Sequence, residues 1–117
     1  MRSLQQLLMA FLGGLGVPVY LAGWVPPGAQ KPYTTVEIAA ERMGEKGRVR
    51  LRLLAPRTGG SACRTDWLDR LGRLIPPAGV VLAGQYVLQP AGERLLGGPG
   101  DPDGPAAAVE LVLIRYV

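Results

Sequence analysis

The sequence contains no histidine, and it has only one cysteine, Cys63. Histidine is the commonest metal ligand and the usual general base near neutral pH, so its absence removes the standard soft-metal sites and histidine-based catalysis. A single cysteine excludes an internal disulfide framework and suits a reducing compartment. Cys63 also falls on the apolar side of a predicted helix, where a core thiol is expected. We therefore expect no enzyme, no cofactor and no bound metal.

Two short stretches in the Gly/Pro-rich region 91–105 do not match known ligand-binding motifs. The stretch 97–100 is not followed by Lys-Ser or Lys-Thr, so it does not form a phosphate-binding loop. The stretch 101–104 begins as calcium loops do, but Val112 stands where such loops place their last acidic ligand. Both phrases are typical of turns and flexible loops.

Positive charge is concentrated in one region of the chain. The net charge is +4, but nine of the thirteen basic residues lie in the interval 42–73, which holds only three acidic residues. The remainder of the sequence is therefore slightly acidic. A regional excess of this kind predicts one basic surface.

The basic region contains the stretch GRVRLRLL, residues 47–54, in which arginines alternate with aliphatic residues. In a strand this pattern places Val49, Leu51 and Leu53 on one face and the arginines on the other. We call Arg48, Arg50 and Arg52 the arginine stripe. Three roles are open for it: binding nucleic acid, meeting another protein, or forming an ordinary solvated strand face.

Hydrophobic periodicity and turn residues predict an α+β domain with the order α-β-β-β-α-β-β, a two-layer fold with an antiparallel-rich sheet and two helices on one face. A single domain spanning residues 1–117 is expected. The predicted helices cover about 3–13 and 61–75, and the predicted strands cover 17–22, 33–40, 48–54, 80–88 and 107–117. Pro18 places the first strand at an edge of the sheet or marks the start of the strand. The last strand is apolar on both faces, which predicts either a central position or a second face covered by something outside this chain.

The apolar residues of the N-terminal stretch fall at helical spacing, and Gln5 and Gln6 interrupt the run. This pattern favours an amphipathic helix over a secretory signal, and no segment reaches the length of a membrane span. We expect a cytosolic chain without a membrane partner.

The layout of the whole chain resembles the tail-terminator, or tail-completion, proteins of long-tailed bacteriophages and prophages. The resemblance rests on the size, the element order and four phrases: GVPVY at 16–20, WVPPGA at 24–29, PYTTVE at 32–37 and WLDRL at 67–71. None of these phrases is a catalytic signature. Other connector proteins of the phage neck share the same general design.

This resemblance implies a structural assembly protein of the virion neck, made in the cytoplasm of the bacterial host. Such proteins form a hexameric ring that caps the tail tube, ends its polymerisation and presents a surface to the head connector. The implied partners are further copies of the chain, the major tail-tube protein and the head-connector protein, with no sequence-specific nucleic acid. A monomer in isolation is compatible with this role.

Within that role, we expect the arginine stripe to meet a neighbouring subunit or the tail tube. DNA passes through the lumen of such a ring, and arginines there would hold its phosphates. Lys46, in a predicted turn at 44–47, is a second candidate contact. Leu95 and Leu96, in a predicted loop at 91–105 that is longer than a hairpin needs, are a third. We expect that loop to become ordered against a neighbouring molecule.

The alternative is a small basic nucleic-acid-binding domain. An α-β-β-β-α order also begins the double-stranded RNA-binding fold, which grips phosphates with a lysine cluster at the start of its last helix. The corresponding stretch here, residues 61–66, has one arginine and one aspartate. The strands also lack the paired aromatic residues with which an RNA-recognition sheet stacks bases.

Overall fold

A computed structural model of the chain describes residues 4–40, 46–56, 60–82, 84, 86–96 and 107–115. The helices are α1 (Leu4–Leu12) and α2 (Gly60–Leu74), and a short 3-10 helix, Gly13–Leu15, follows α1. The strands are β1 (Val19–Leu21), β2 (Tyr33–Ala40), β3 (Lys46–Leu54), β4 (Val80–Leu82), β5 (Tyr86–Leu96) and β6 (Ala107–Arg115). No helix in these ranges is long and apolar enough to cross a membrane.

The six strands form one mixed sheet in the order β1-β2-β3-β6-β5-β4. β1 pairs with β2 in parallel, and every other neighbouring pair is antiparallel. The predicted α+β class is confirmed, as are the edge position of β1 and the central position of β6. Pro18 immediately precedes β1, where a missing backbone donor costs the sheet least.

Both helices pack on the same face of the sheet, which we call the core face. Leu8 and Leu12 of α1 and Trp67 and Leu71 of α2 are buried there. They pack with alternate residues of the strands: Val36, Val49, Leu51, Leu53, Leu82, Leu88, Ala107, Val109, Leu111 and Leu113. The opposite side of the sheet, which no described helix covers, is the open face.

The side chains of β3 alternate as the sequence predicts. Val49, Leu51 and Leu53 are each 0% exposed on the core face, whereas Arg48 is exposed on the open face. Burying three aliphatic side chains of this size stabilises the fold by roughly 1.5–3 kcal/mol each relative to leaving them in water. This burial fixes which face the arginines occupy.

Two parts of the predicted order are wrong. The predicted strand 80–88 is two strands, β4 and β5, which pair as a hairpin around Gly84, whose φ is +69°. Residues 91–96, predicted as the start of a loop, continue β5 along β6. The chain order is therefore α-β-β-β-α-β-β-β. The rest of the predicted loop, like Ser3 and residues 44–45 of the predicted turn, lies outside the described residues.

Pro90 lies within β5, at a position where a sheet can accept a proline. The register of β5 against β6 shifts between Pro90 and Arg94, a bulge-like irregularity in which β5 advances four residues while β6 advances two. β4 pairs only with the first three residues of β5, so this part of β5 is an edge. Edges and bulges are the places where a sheet accepts proline, and they also deter pairing with other chains. The sequence around Pro90 therefore resembles a loop, although this part of β5 pairs with β6.

The buried Trp67 is a core residue, as predicted, and it has one polar contact. Its indole N–H donates a hydrogen bond of 2.9 Å to Oγ1 of Thr34, which is itself fully buried on β2. This bond joins α2 to the sheet and satisfies an indole donor that has no access to water.

Replacing Thr34 by valine should lower the free energy of unfolding by about 1–3 kcal/mol, because the Trp67 N–H would remain buried without an acceptor. Urea denaturation measures the change. Thr34→Ser, which keeps the hydroxyl, is the matched control and should cost clearly less. Equal losses in the two variants would contradict a role for the hydrogen bond.

Candidate functional site

The arginine stripe runs down the middle of the open face. β3 lies third in the sheet, between β2 and β6, so each arginine has a cross-strand neighbour on both sides. Arg48 is exposed, and Arg50 and Arg52 are partly buried. Neighbouring residues on the open face therefore partly cover two of the three arginines.

Arg50 lies between two carboxylates in one cross-strand row. Glu37 of β2 and Glu110 of β6 are its direct partners in register. Nη2 of Arg50 donates a hydrogen bond of 2.7 Å to Oε1 of Glu110. Nε of Arg50 is buried and has no hydrogen-bond partner in the described part of the chain. The positive charge at the centre of the stripe is thus largely balanced within its own sheet.

The pKa of Glu110 is lowered, first because its carboxylate accepts the hydrogen bond from Arg50, and also because Arg50 and Arg48 are positive. Partial burial acts in the opposite direction. The pKa of Arg50 is raised, mainly by the same hydrogen bond and by the charge of Glu110. Both shifts stabilise the ionised pair.

This pairing changes the interpretation of the stripe. The sequence shows no acidic residue among the three arginines, but the sheet brings Glu37 from 13 residues before Arg50 and Glu110 from 60 residues after it. Glu37 stands at a polar position of an alternating strand, and Glu110 is the one acidic residue in the apolar run of β6. These were the signals available in the sequence. Only the strand order shows that they flank the same arginine.

Arg52 has a different environment. Its register partners are Thr35 of β2 and Ala108 of β6, neither of which carries a charge. In the residues that the structure describes, its guanidinium makes no hydrogen bond and no ion pair. Beyond Thr35, Tyr20 of β1 packs edge to face against Tyr33, with ring centroids 5.6 Å apart. Arg52 is thus a partly desolvated cation in a neutral setting.

The other end of the open face is apolar. Ile114 of β6, Val87 of β5 and Val81 of β4 are successive register partners across three strands, and Val112 lies two residues from Ile114 on β6. Val81 is 58% exposed. Uncovered aliphatic side chains beside charged ones are typical of protein interfaces.

The predicted contacts do not form one cluster. Lys46 begins β3 instead of lying in a turn and pairs with Ile114 near one end of β6. Leu95 and Leu96 pair with Ala108 and Ala107 at the other end. Ala107 and Ile114 are seven positions apart on β6, a distance of about 24 Å at the usual rise of a strand. Only the backbone of Lys46, Leu95 and Leu96 is described.

Trp24 is an exposed aromatic residue outside the predicted contacts. It is 79% exposed in the segment that follows β1, and its backbone N–H donates to the carbonyl of Leu21 at 2.9 Å. A tryptophan beside Gly23 and a Pro-Pro pair was the available signal, since proline restricts the backbone around it. Exposed tryptophans are frequent anchors of protein contacts.

The described residues give little support to a metal site or to a reactive thiol. Those residues contain no group of three or more Cys, Asp or Glu side chains that could hold a metal ion. Cys63 is partly buried on α2, and the pKa of its thiol is raised by that burial and by Asp66 nearby. A raised pKa disfavours the reactive thiolate.

No protein-family model matches this chain, and comparison with curated proteins found no significant match.

Replacing Glu110 by glutamine should lower the free energy of unfolding at pH 7, because the ion pair with Arg50 is lost. The pKa of Glu110 is lowered in the folded state, so its contribution is present above the usual glutamate pKa of about 4.3 and is lost as pH falls through the lowered value. The difference between wild type and variant should therefore shrink at acid pH, as followed by urea denaturation.

Glu37→Gln is the matched control on the other side of Arg50, because the described structure shows no ion pair at Glu37. It should change stability less than Glu110→Gln. A difference between wild type and Glu110→Gln that stays constant from about pH 7 to pH 3 would contradict the pairing.

Proposed function

We propose that this protein is a structural assembly protein of the bacteriophage neck. It caps the tail tube as a ring of identical subunits, ends tail polymerisation and offers a surface to the head connector. The observation that carries the proposal is the one-sided packing of the sheet. One face is closed by both helices, while the other carries the arginine stripe and an apolar end without cover from the described part of the chain.

The composition of the open face supports a protein partner. Guanidinium groups form bidentate pairs with carboxylates, and interfaces commonly combine arginine with apolar contact area. Here Arg52 and the apolar residues Val81, Val87 and Ile114 lie on the same face of one sheet. A neighbouring subunit or the tail tube would cover them together.

The same face gives less support to phosphate binding. Two carboxylates, Glu37 and Glu110, lie in the row of Arg50 and would repel a nucleic-acid backbone. The described strands place Tyr20 and Tyr33 against each other at the rim of the open face, away from the centre of the stripe. In a ring, we expect the stripe to face a protein neighbour and not the lumen.

Ring formation by head-to-tail contacts needs two different complementary surfaces on each subunit. The arginine stripe is one such surface, and the acidic remainder of the chain supplies carboxylates for the other. The virion neck is the proposed location, with synthesis in the host cytoplasm. The tail-tube protein and the head connector are the proposed partners on the two sides of the ring.

The change Arg52→Glu should abolish ring formation while leaving the monomer folded, because Arg52 has no ion pair in the described fold and its charge is reserved for a partner. Arg50 is unsuitable for this test, since a glutamate there would face Glu37 and Glu110. Sedimentation velocity measures the assembly state, and circular dichroism checks the fold.

Arg64→Glu makes the same charge change on α2 in the helix layer and should leave assembly intact. Rings of unchanged size in the Arg52→Glu variant would contradict the proposal. A salt series separates the alternative: association through an interface with apolar area should persist at moderate salt, whereas binding to DNA or RNA weakens steeply.

A further inference from the structure

The two edge strands of the sheet are much shorter than the strands beside them. β1 pairs with residues 34–36 of β2, and the outer side of residues 37–40 has no strand beside it in the described ranges. β4 pairs with residues 86–88 of β5, and the outer side of residues 89–96 is likewise unpaired in the part of the chain that the structure describes. Each edge of the sheet is therefore stepped.

The two steps lie at opposite ends of the sheet, so that one edge fits the other. When the register is followed across the strands, β1 is level with residues 94–96, the end of β5 that β4 leaves unpaired. β4 lies at the other end of the sheet, level with Ala40 at the end of β2 and beyond it. β1 and β5 also run in opposite directions. β1 of a second copy can therefore pair with the free end of β5 in antiparallel fashion.

The backbone hydrogen-bonding groups of the two edges match in the same way. The N–H of Thr34 donates to the carbonyl of Pro18 at 2.8 Å. Because these groups alternate in direction along a strand, the N–H and C=O of Val19 point outward from the sheet. The same alternation, followed through the register of the sheet, turns the N–H and C=O of Leu96 outward at the opposite edge. Val19 and Leu96 lie at the same level, so they would form a hydrogen-bonded antiparallel pair.

Trp24 gives this edge an apolar anchor. It is 79% exposed and closes a turn at the end of β1 through a hydrogen bond of 2.9 Å from its N–H to the carbonyl of Leu21. A second closed turn, with a hydrogen bond of 2.8 Å from Gly79 to Pro76, precedes β4. If the edges of two copies paired, the end of β1 and the start of β4 would be four residues apart in level, about 14 Å. Trp24 of one copy and the turn at 76–79 of the next would meet in that gap.

We propose that β1 of one copy of this chain pairs with residues 94–96 of β5 in a second copy, with Tyr20 opposite Leu95. The inference rests on the proposed ring of identical subunits and names the surfaces through which its copies meet. A second copy is the occupant because its β1 has the length, the direction and the outward backbone groups that the free end of β5 requires.

The proposed contact is head-to-tail, because it joins two different edges of the subunit, and it can repeat around a ring. It also covers sheet edges that would otherwise be templates for aggregation. A sheet that continues from copy to copy leaves the open face of every copy on the same side, available to the tail tube. The edge contact therefore adds to the contacts of the open face and does not replace them.

Engineered disulfides test the proposed register. In the full-length chain with Cys63→Ala, Tyr20→Cys together with Leu95→Cys should give a ladder of covalently linked copies on mild oxidation. Residues directly opposite each other in an antiparallel pair have Cα atoms about 4.5–5.5 Å apart, within the reach of a disulfide. Within one copy, Tyr20 and Leu95 are four strand spacings apart, about 19 Å, which excludes an internal bond. Gels without reductant and mass spectrometry identify the linked peptides.

Tyr20→Cys together with Leu96→Cys is the register control. It should remain unlinked, because neighbouring residues of a strand face opposite sides of the sheet. Each single cysteine variant should also remain unlinked by itself, whereas a mixture of Tyr20→Cys and Leu95→Cys chains should give linked dimers and nothing larger.

Trp24→Ala tests the same contact without cysteines. It should weaken self-association at least about tenfold in sedimentation equilibrium, as expected for the loss of a tryptophan anchor. Arg73→Ala, an exposed change on α2 in the helix layer, is the control and should leave association unchanged.

The outcomes separate this inference from the neck function. Linkage of a single cysteine variant to itself would indicate a two-fold pairing of like edges and would overturn the inference. Rings that form without linkage between positions 20 and 95 exclude the edge contact and leave the neck function in place. Linked ladders from a chain that never binds tail tubes support the edge contact and contradict the neck function. A chain that stays monomeric and unlinked, alone and with tail tubes, contradicts both.

Discussion

The side-chain alternation of β3 is the constraint on which the rest of the molecule depends. Val49, Leu51 and Leu53 are fully buried beneath the helices, and β3 pairs along its length with both β2 and β6. A shift of one residue in register would move the guanidinium groups into the core and the aliphatic side chains into water. The core therefore holds the arginine stripe on the open face, and the surface is a direct consequence of the packing beneath it.

The two partly buried arginines of the open face have different surroundings. The ion pair between Arg50 and Glu110 joins β3 to β6, and such cross-strand pairs help to specify register. Glu37 of β2 adds a second negative charge to the same row. Arg52, one strand repeat away, has no carboxylate beside it in the sheet. Arg50 thus contributes to the pairing of its own strands, whereas Arg52 has no ion pair in the described part of the chain. Val81, Val87 and Ile114 form an apolar cross-strand row on the same open face.

The elements that could be predicted from the sequence are those whose signal is local. Period-two alternation identified β2 and β3, helical spacing identified α2 with Trp67 in the core, and an apolar run on both faces identified β6 as central. The split between β4 and β5 and the continuation of β5 past Pro90 were missed, because a proline and a glycine in an edge strand look like a loop until the pairing partner is known.

In the candidate site, too, only features with a local signal could be predicted from the sequence. The arginine stripe was visible in the sequence, whereas its balance by Glu37 and Glu110 depends on a strand order that no local pattern contains. Thr34 as the acceptor for Trp67, and the exposure of Trp24, likewise depend on contacts between distant parts of the chain. The phage-neck function and its partners are a proposal that rests on resemblance and on the character of the open face.

Arginine-specific covalent labelling, read by mass spectrometry, tests most directly whether the open face is a docking surface. The isolated chain and the oligomer separated by size exclusion would be treated with phenylglyoxal under the same conditions. We expect Arg52 to react in the isolated chain and to be protected in the oligomer, while Arg64 on the helix layer reacts equally in both. Equal labelling of Arg52 in the two states, or protection of Arg64 alone, would contradict it.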